Sequence, residues 1–75
     1  MEDNMDTIEI KLRDEYIKLG QALKAAGIAQ SGVDAKLMIQ DGDALVNGAV
    51  EYQRGKKLYD GDEVVCQDTC IKIIK

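Results

Sequence analysis

The spacing of apolar residues changes at Gly42, and that change limits the folds available to this chain. Before Gly42, apolar residues recur at intervals of three and four over residues 18–26 and again up to about Gln40, which predicts two short helices. After Gly42, short apolar runs alternate with turn residues, which predicts strands. One earlier strand is predicted over residues 7–12. Because the helices and most strands occupy separate stretches, we predict an α+β domain.

Residues that favour helix ends stand where the two predicted helices should begin and end. Gly27 and Gly42 each follow the last apolar residues of a helix, where a C-terminal glycine is favoured. Ser31 precedes the second helix and is followed three residues later by Asp34, a spacing similar to that of a capping box. These positions predict a second helix that starts after Ser31 and closes at Gly42.

The segment after Gly42 contains one strong hairpin signal. Asn47-Gly48 stands between β-prone residues, and both central positions of a tight hairpin turn need positive φ, which Asn and Gly adopt readily. Further connections are predicted at residues 53–57, 60–62 and 67–69. Between the connections the sequence predicts three to five short strands, drawn from residues 44–46, 49–52, 58–59, 63–66 and 70–74.

The absence of histidine excludes several chemistries. Neither Ser-His nor Cys-His nucleophilic catalysis can be assembled, and a zinc site cannot use imidazole ligands. Cys66 and Cys70 supply only two soft ligands, so a structural zinc would need two more, for example from Asp68 or another chain. A cross-strand disulfide requires the two cysteines to lie opposite each other. The simpler interpretation is two reduced, half-buried thiols.

Carboxylates and glycines are numerous, but their spacing is that of turns. Asp41 and Asp43 flank a glycine, as do Asp60 and Asp62, and Asp favours turns. Neither pair has the spacing of a calcium-binding loop, and the glycines form no nucleotide-binding motif. We therefore predict a non-enzymatic protein that holds no metal and no small-molecule cofactor.

The N-terminal segment bears on location and domain organisation. Residues 1–6 are acidic, and we expect them to be disordered, with a single domain over residues 7–75. An acidic start is unlike a signal or transit peptide, and no apolar run approaches the length of a membrane span. We expect a cytoplasmic monomer without a membrane partner.

The net charge of −4 is unevenly distributed along the chain. Residues 1–15 hold six acids and two bases, whereas residues 16–75 hold eight of each. Arg54, Lys56 and Lys57 crowd one loop, residues 53–57, which we call the basic loop. The helix start at Ser31-Gly32 carries free N–H groups and the positive end of the helix dipole, which favour phosphate oxygens. If the two elements lie side by side, they can bind phosphate together.

The order of these motifs resembles the S-four (S4) RNA-binding domain family, named for a small-subunit ribosomal protein. The resemblance runs from about Tyr16 to Val65. It is carried by residues 17–27, by Ser31-Gly32 with residues 35–42, by Leu45-Val46-Asn47-Gly48, by Arg54-Gly55-Lys56-Lys57-Leu58 and by Gly61-Asp62-Glu63-Val64. The short stand-alone form with R-G-K-K-L after the hairpin is similar to the YaaA/YbcJ-like bacterial group.

The resemblance implies a fold and a function. The fold is the family's αL motif, two short helices packed on a small, bent antiparallel sheet. The function is binding of structured RNA, with ribosomal RNA expected, in ribosome assembly or translation. The residues that the resemblance implies for RNA contact are Lys18, Gln30, Ser31, Gly32, Lys36, Gln40, Arg54, Lys56 and Lys57. Many members of the family have Arg where Lys18 stands and an acid where Gly20 stands. Asn47 is expected to form its turn rather than to contact RNA.

A protein-interaction module is the alternative hypothesis. The acidic N-terminus and an edge of the predicted sheet could dock onto a partner chain. A protein complex that survives nuclease treatment and high salt would favour this alternative.

Overall fold

Two helices and seven strands make up most of residues 5–75, the part of the chain that the computed structural model describes. The chain order is β1 (Asp6–Lys11), β2 (Ile17–Lys18), α1 (Leu19–Ala25), α2 (Gly32–Gln40), β3 (Leu45–Val46), β4 (Ala49–Val50), β5 (Lys57–Leu58), β6 (Glu63–Cys66) and β7 (Thr69–Ile74). Most of the predicted disordered N-terminus lies outside the described residues, and at its far end Asp6 already begins β1.

The main sheet is mixed. Its strands lie in the order β1-β7-β6-β3-β4. The pairs between β7 and β4 are antiparallel, as predicted, whereas β1 pairs parallel with β7 and places Ile8 opposite Ile71. A parallel pair needs a long crossover connection, and the whole domain between β1 and β7 supplies it. The α+β class with two helices is therefore confirmed, but the sheet is not wholly antiparallel.

Strands β2 and β5 form a separate two-stranded antiparallel sheet, which we call the β2–β5 ribbon. Ile17 lies opposite Leu58, which is fully buried, and Lys18 lies opposite Lys57 with both lysines exposed. At the end formed by Lys18 and Lys57, the ribbon both leads directly into α1 and receives the basic loop. It therefore holds that loop beside the start of α1.

The hydrophobic core lies between the helices and one face of the main sheet. Leu19 and Leu23 enter it from α1 and Ile39 from α2, and all three are fully buried. Each such side chain contributes about 1.5–3 kcal/mol on burial. The sheet and the ribbon supply the remaining large, fully buried side chains: Leu58, Val64, Cys66, Ile71 and Ile73.

Helix α2 buries less apolar surface than its sequence predicts. Ala35 and Ile39 are fully buried, but Leu37 is 53% exposed and Val33 is 65% exposed. Val33 and Leu37 are four residues apart and share one outward flank of the helix. Among residues 5–75, no helix has both the length and the apolar composition required to cross a membrane.

The Asn47-Gly48 turn is joined to a second turn by side-chain hydrogen bonds. Asn47 and Gly48 both have positive φ, at 51° and 88°, as predicted for this hairpin. Asn47 Nδ2 donates to Asp62 Oδ1 at 3.1 Å, and the Glu63 N–H donates to Asn47 Oδ1 at 3.0 Å. The other Asp62 oxygen accepts from the Tyr59 N–H at 2.7 Å. The Asn47 side-chain amide is thus hydrogen-bonded within the protein through both its nitrogen and its oxygen, which agrees with its predicted role as a turn former.

The two cysteines are free and lie on opposite faces of the main sheet. Cys66 pairs with Thr69 and Cys70 with Val65, so the two thiols do not face each other. Cys66 is 1% exposed and points into the core, and Cys70 is half-buried on the outer face. Burial raises the pKa of the Cys66 thiol, and nearby Asp43 raises it further. A disulfide within this fold would require a change of strand register.

Candidate nucleic-acid interface

A groove of about 360 Å³ lies between α1, the start of α2 and the basic loop. Its cationic side chains are Lys18, Lys24 and Arg54, and no carboxylate of residues 5–75 lines it. We call this site the cationic groove, defined by Lys18, Gly20, Gln21, Lys24, Gly32, Ala35, Arg54 and Gly55. The α2 start and the basic loop therefore lie on the same side of the molecule, which meets the condition that the sequence analysis set for shared phosphate binding.

Backbone hydrogen bonds fix the basic loop to the start of α1. The Leu19 N–H donates to the Lys56 carbonyl at 2.8 Å, and the Gly20 N–H donates to the Arg54 carbonyl at 3.1 Å. The Lys18 N–H donates to Gln21 Oε1 at 3.1 Å. The first N–H groups of α1 are therefore already bonded within the protein. This short helix places side chains in the groove and holds the loop.

Gly20 allows the Arg54 side chain to lie directly against α1. A Cβ at position 20 would be 2.7 Å from Arg54 Cγ, closer than carbon atoms approach in folded proteins. Gly20 is buried beneath the Arg54 side chain. The absence of a side chain at this position thus determines where the guanidinium stem runs.

The start of α2 presents unused backbone donors to the groove. Ser31 is the N-cap, and its hydroxyl oxygen accepts from the Asp34 N–H at 3.1 Å, which is half of the predicted capping box. Within the described part of the chain, the N–H groups of Gly32 and Val33 have no acceptor. A Cβ at Gly32 would meet no atom within 4 Å, so the backbone is open to an approaching ligand.

The acid at the start of α2 lies away from the groove. Gly32 and Lys36 are four residues apart and share one flank of the helix, whereas Asp34 lies between them in sequence on another flank. Asp34 is half-buried and Lys36 is exposed. The carboxylate therefore competes little with an anion bound at Gly32.

Within residues 5–75, the cations around the groove have no carboxylate partners. The ion pair found among residues 5–75 joins Lys75 to Glu15 at 3.7 Å, with both side chains largely exposed. Lys18 and Lys57 lie directly opposite each other across the ribbon, where like charges are destabilising. Such a surface is stabilised when an anion binds to it.

The structure brings together part of the predicted set of RNA-contacting residues. Lys18, Gly32 and Arg54 line the groove; Lys57 is next to Lys18 across the ribbon, and Lys36 is one helical turn from Gly32. Ser31 uses its hydroxyl to cap α2. The remaining predicted residues are exposed but do not line the groove: Gln30, Gln40 and Lys56.

Sequence reasoning missed Gln21 and Lys24, which line the groove from α1. The available signal was their spacing. Lys18, Gln21 and Lys24 are three residues apart and lie off the apolar stripe of α1, so they share a polar flank. Their position beside the basic loop became evident only when the loop was seen bonded to the start of α1.

Comparison with known proteins bears on the family and the fold. Residues 10–74 match the S4 domain. The chain belongs to the S4 domain family. The resemblance identified from the motif order is thereby confirmed.

Two relatives are informative. A Bacillus subtilis protein described as a probable ribosome maturation protein, RlbA, is 46% identical over 55 residues, which cover 73% of this chain and 78% of the relative. The solution structure of Escherichia coli YbcJ is described as revealing an αL motif involved in RNA binding. It is similar to this fold with a TM-score of 0.68 and 29% identity, over 96% of this chain and 90% of YbcJ.

Proposed function

We propose that this protein binds structured RNA through the cationic groove, without catalysis, in ribosome assembly or translation. The observation that carries the proposal is the convergence of Lys18, Lys24 and Arg54 with the free N–H groups at the start of α2. Among the described residues, no carboxylate lines this groove. Phosphate oxygens accept hydrogen bonds from both kinds of donor.

The chemistry of the groove suits an RNA backbone better than RNA bases. Its lining contains no aromatic ring, and its donors are cations and backbone N–H groups. Double-stranded RNA is recognised mainly by its shape, its phosphates and its 2′-hydroxyl groups. The remaining predicted residues extend the proposed contact surface beyond the groove: Lys36 and Gln40 along α2, Gln30 and Ser31 before it, and Lys56 and Lys57 from the basic loop.

The relatives support ribosomal RNA as the class of ligand. RlbA is described as a probable ribosome maturation protein and YbcJ as carrying an RNA-binding αL motif. The net charge of −4 in the present chain means that attraction to RNA depends on a local patch of cations rather than on overall charge. We therefore expect binding that is strongly sensitive to salt.

Titration with a stable RNA hairpin tests the proposal. If about six cations contact phosphates, affinity should fall about a thousandfold between about 50 and 200 mM salt. In NMR spectra the amide signals of Gly20, Lys24 and Gly32 should shift, whereas those of Cys70 and Lys72 on the outer sheet face should not. Shifts that spare the groove, or an affinity indifferent to salt, would contradict the proposal.

Gly20→Ala should weaken RNA binding about tenfold with little change in stability. The added methyl displaces Arg54, whose charge-assisted hydrogen bond is worth about 1.5–3 kcal/mol, and part of that is lost. Alanine raises helix propensity by about 1 kcal/mol, which offsets the crowding. Affinity and urea unfolding should be measured for the variant both alone and combined with Arg54→Ala. If the methyl acts through Arg54, it should have little further effect in the Arg54→Ala background.

The protein-interaction alternative remains a prediction. Residues 1–4 of the acidic segment are outside the described residues, and β1 forms one edge of the main sheet. Isolation of a protein complex that survives nuclease and high salt, together with no binding to hairpin RNA, would favour it over the RNA proposal.

A further inference from the structure

The exposed face of the β2–β5 ribbon combines two aromatic rings with two cations. Lys18 and Lys57 lie opposite each other on this face. Tyr16 and Tyr59 are each two residues from one of these lysines, and their ring centroids are 5.9 Å apart at an interplanar angle of 53°. The Lys57 ammonium lies 4.8 Å from the centroid of the Tyr16 ring. We call these four residues the aromatic ribbon face.

Tyr59 is the ring that a ligand can reach. Tyr16 is half-buried, and Lys57 covers one face of its ring. Tyr59 is 45% exposed, although its backbone is held by the hydrogen bond from its N–H to Asp62 Oδ2. A ring that is exposed yet fixed at its backbone loses little conformational freedom when a flat partner stacks on it.

The aromatic ribbon face is continuous with the cationic groove. Lys18 belongs to both, because it lines the groove and also lies opposite Lys57. A polyanion whose backbone occupies the groove therefore continues onto the aromatic ribbon face. Neither lysine has a carboxylate partner in the described residues, so their mutual repulsion is relieved when a phosphate lies between them.

We propose that the aromatic ribbon face binds an unpaired nucleotide of the RNA, with its base stacked on Tyr59 and its phosphate between Lys18 and Lys57. This inference rests on the proposed RNA-binding function and deepens it. Bases within a continuous duplex are stacked on each other, so only a bulge, loop or end can supply a base to Tyr59. The preferred RNA is then a helix with an unpaired nucleotide beside it.

Two RNAs distinguish this inference from binding of duplex alone. One is a fully paired hairpin, and the other has the same stem with a single bulged 2-aminopurine nucleotide. The wild-type protein should bind the bulged RNA about 5- to 150-fold more tightly, the range expected for stacking of one base on an aromatic side chain. Stacking on Tyr59 should also quench the 2-aminopurine fluorescence.

Tyr59→Leu should abolish both the preference and the quenching, and Tyr59→Phe should retain both. Tyr52→Leu is the matched control, because Tyr52 is 63% exposed and packs near Gly42 at the end of α2 rather than on the ribbon. Amide NMR spectra confirm that each variant is folded. If Tyr59→Leu retains the preference for the bulged RNA, the stacking site is wrong.

The two proposals fail in different ways. Equal, salt-dependent binding of both RNAs by the wild-type protein would overturn the nucleotide site and leave the groove proposal intact. No binding of either RNA at low salt would overturn both. A bulge preference lost equally in Tyr59→Leu and Tyr52→Leu would also overturn the assignment to the ribbon.

Discussion

Replacing Lys24 and Arg54 together by glutamine should lower the affinity for a structured RNA about 100-fold or more. Both side chains line the cationic groove, and each charge-assisted hydrogen bond to phosphate is worth about 1.5–3 kcal/mol. Loss of two such contacts amounts to at least about 3 kcal/mol, and about 1.4 kcal/mol corresponds to a tenfold change in affinity. The slope of log K against log salt should become shallower by about 2.

A matched control separates a local effect from the change in overall charge. Lys72→Gln with Lys75→Gln removes the same two charges elsewhere. Lys72 lies on β7 between Ile71 and Ile73, which are buried, so its side chain points away from the helices. The Lys75 ammonium forms an exposed ion pair with Glu15, which contributes little. The control should lose less than about threefold in affinity. Equal losses in the two double variants would show that only net charge matters.

The second large effect is on stability, where Asn47→Ala should cost about 2–5 kcal/mol. Alanine at the left-handed φ of residue 47 is disfavoured by roughly 1–2 kcal/mol. The variant also loses the hydrogen bonds with Asp62 and Glu63, at about 0.5–1.5 kcal/mol each. For a domain of this size, each kcal/mol lowers Tm by about 4–8 °C. Urea and thermal unfolding, followed by far-UV circular dichroism, measure both quantities.

Two further variants separate the contributions at this turn. Asn47→Gly keeps the left-handed backbone and loses only the side-chain bonds, so it should recover about 1 kcal/mol or more relative to Asn47→Ala. Asp62→Ala combined with Asn47→Ala should show a coupling of about 1 kcal/mol, because the two residues share a hydrogen bond. If Asn47→Ala unfolds at the same urea concentration as the wild type, the link between the two turns contributes nothing to stability.

Elements defined by local interactions were predictable from the sequence. Three elements depend on residues only a few positions apart: the apolar spacing of three and four residues in α1, the Ser31 cap of α2 and the Asn47-Gly48 turn. The φ preferences of these residues and the spacing of the apolar positions act over a few neighbouring residues, so the sequence alone indicates these elements. The order of these elements was also specific enough to identify the family.

Contacts between distant parts of the chain were not predictable in the same way. The parallel pairing of β1 with β7 joins the two ends of the domain, and the β2–β5 ribbon rests on two residue pairs. The exposure of Leu37 likewise follows from how α2 sits on the sheet rather than from its own spacing. The place of each element in the tertiary structure decides such features.

The sequence by itself determined the α+β class, the helix and turn positions, and a cationic loop that complements a helix start. Only the tertiary structure placed Lys24 in the same groove as Arg54 and brought the exposed Tyr59 ring beside that of Tyr16. The physical reason is that helix caps and turns follow from the φ preferences and hydrogen bonds of neighbouring residues. A binding surface depends on which backbone groups pair across long stretches of chain, here the Leu19 and Gly20 N–H groups with the carbonyls of the basic loop.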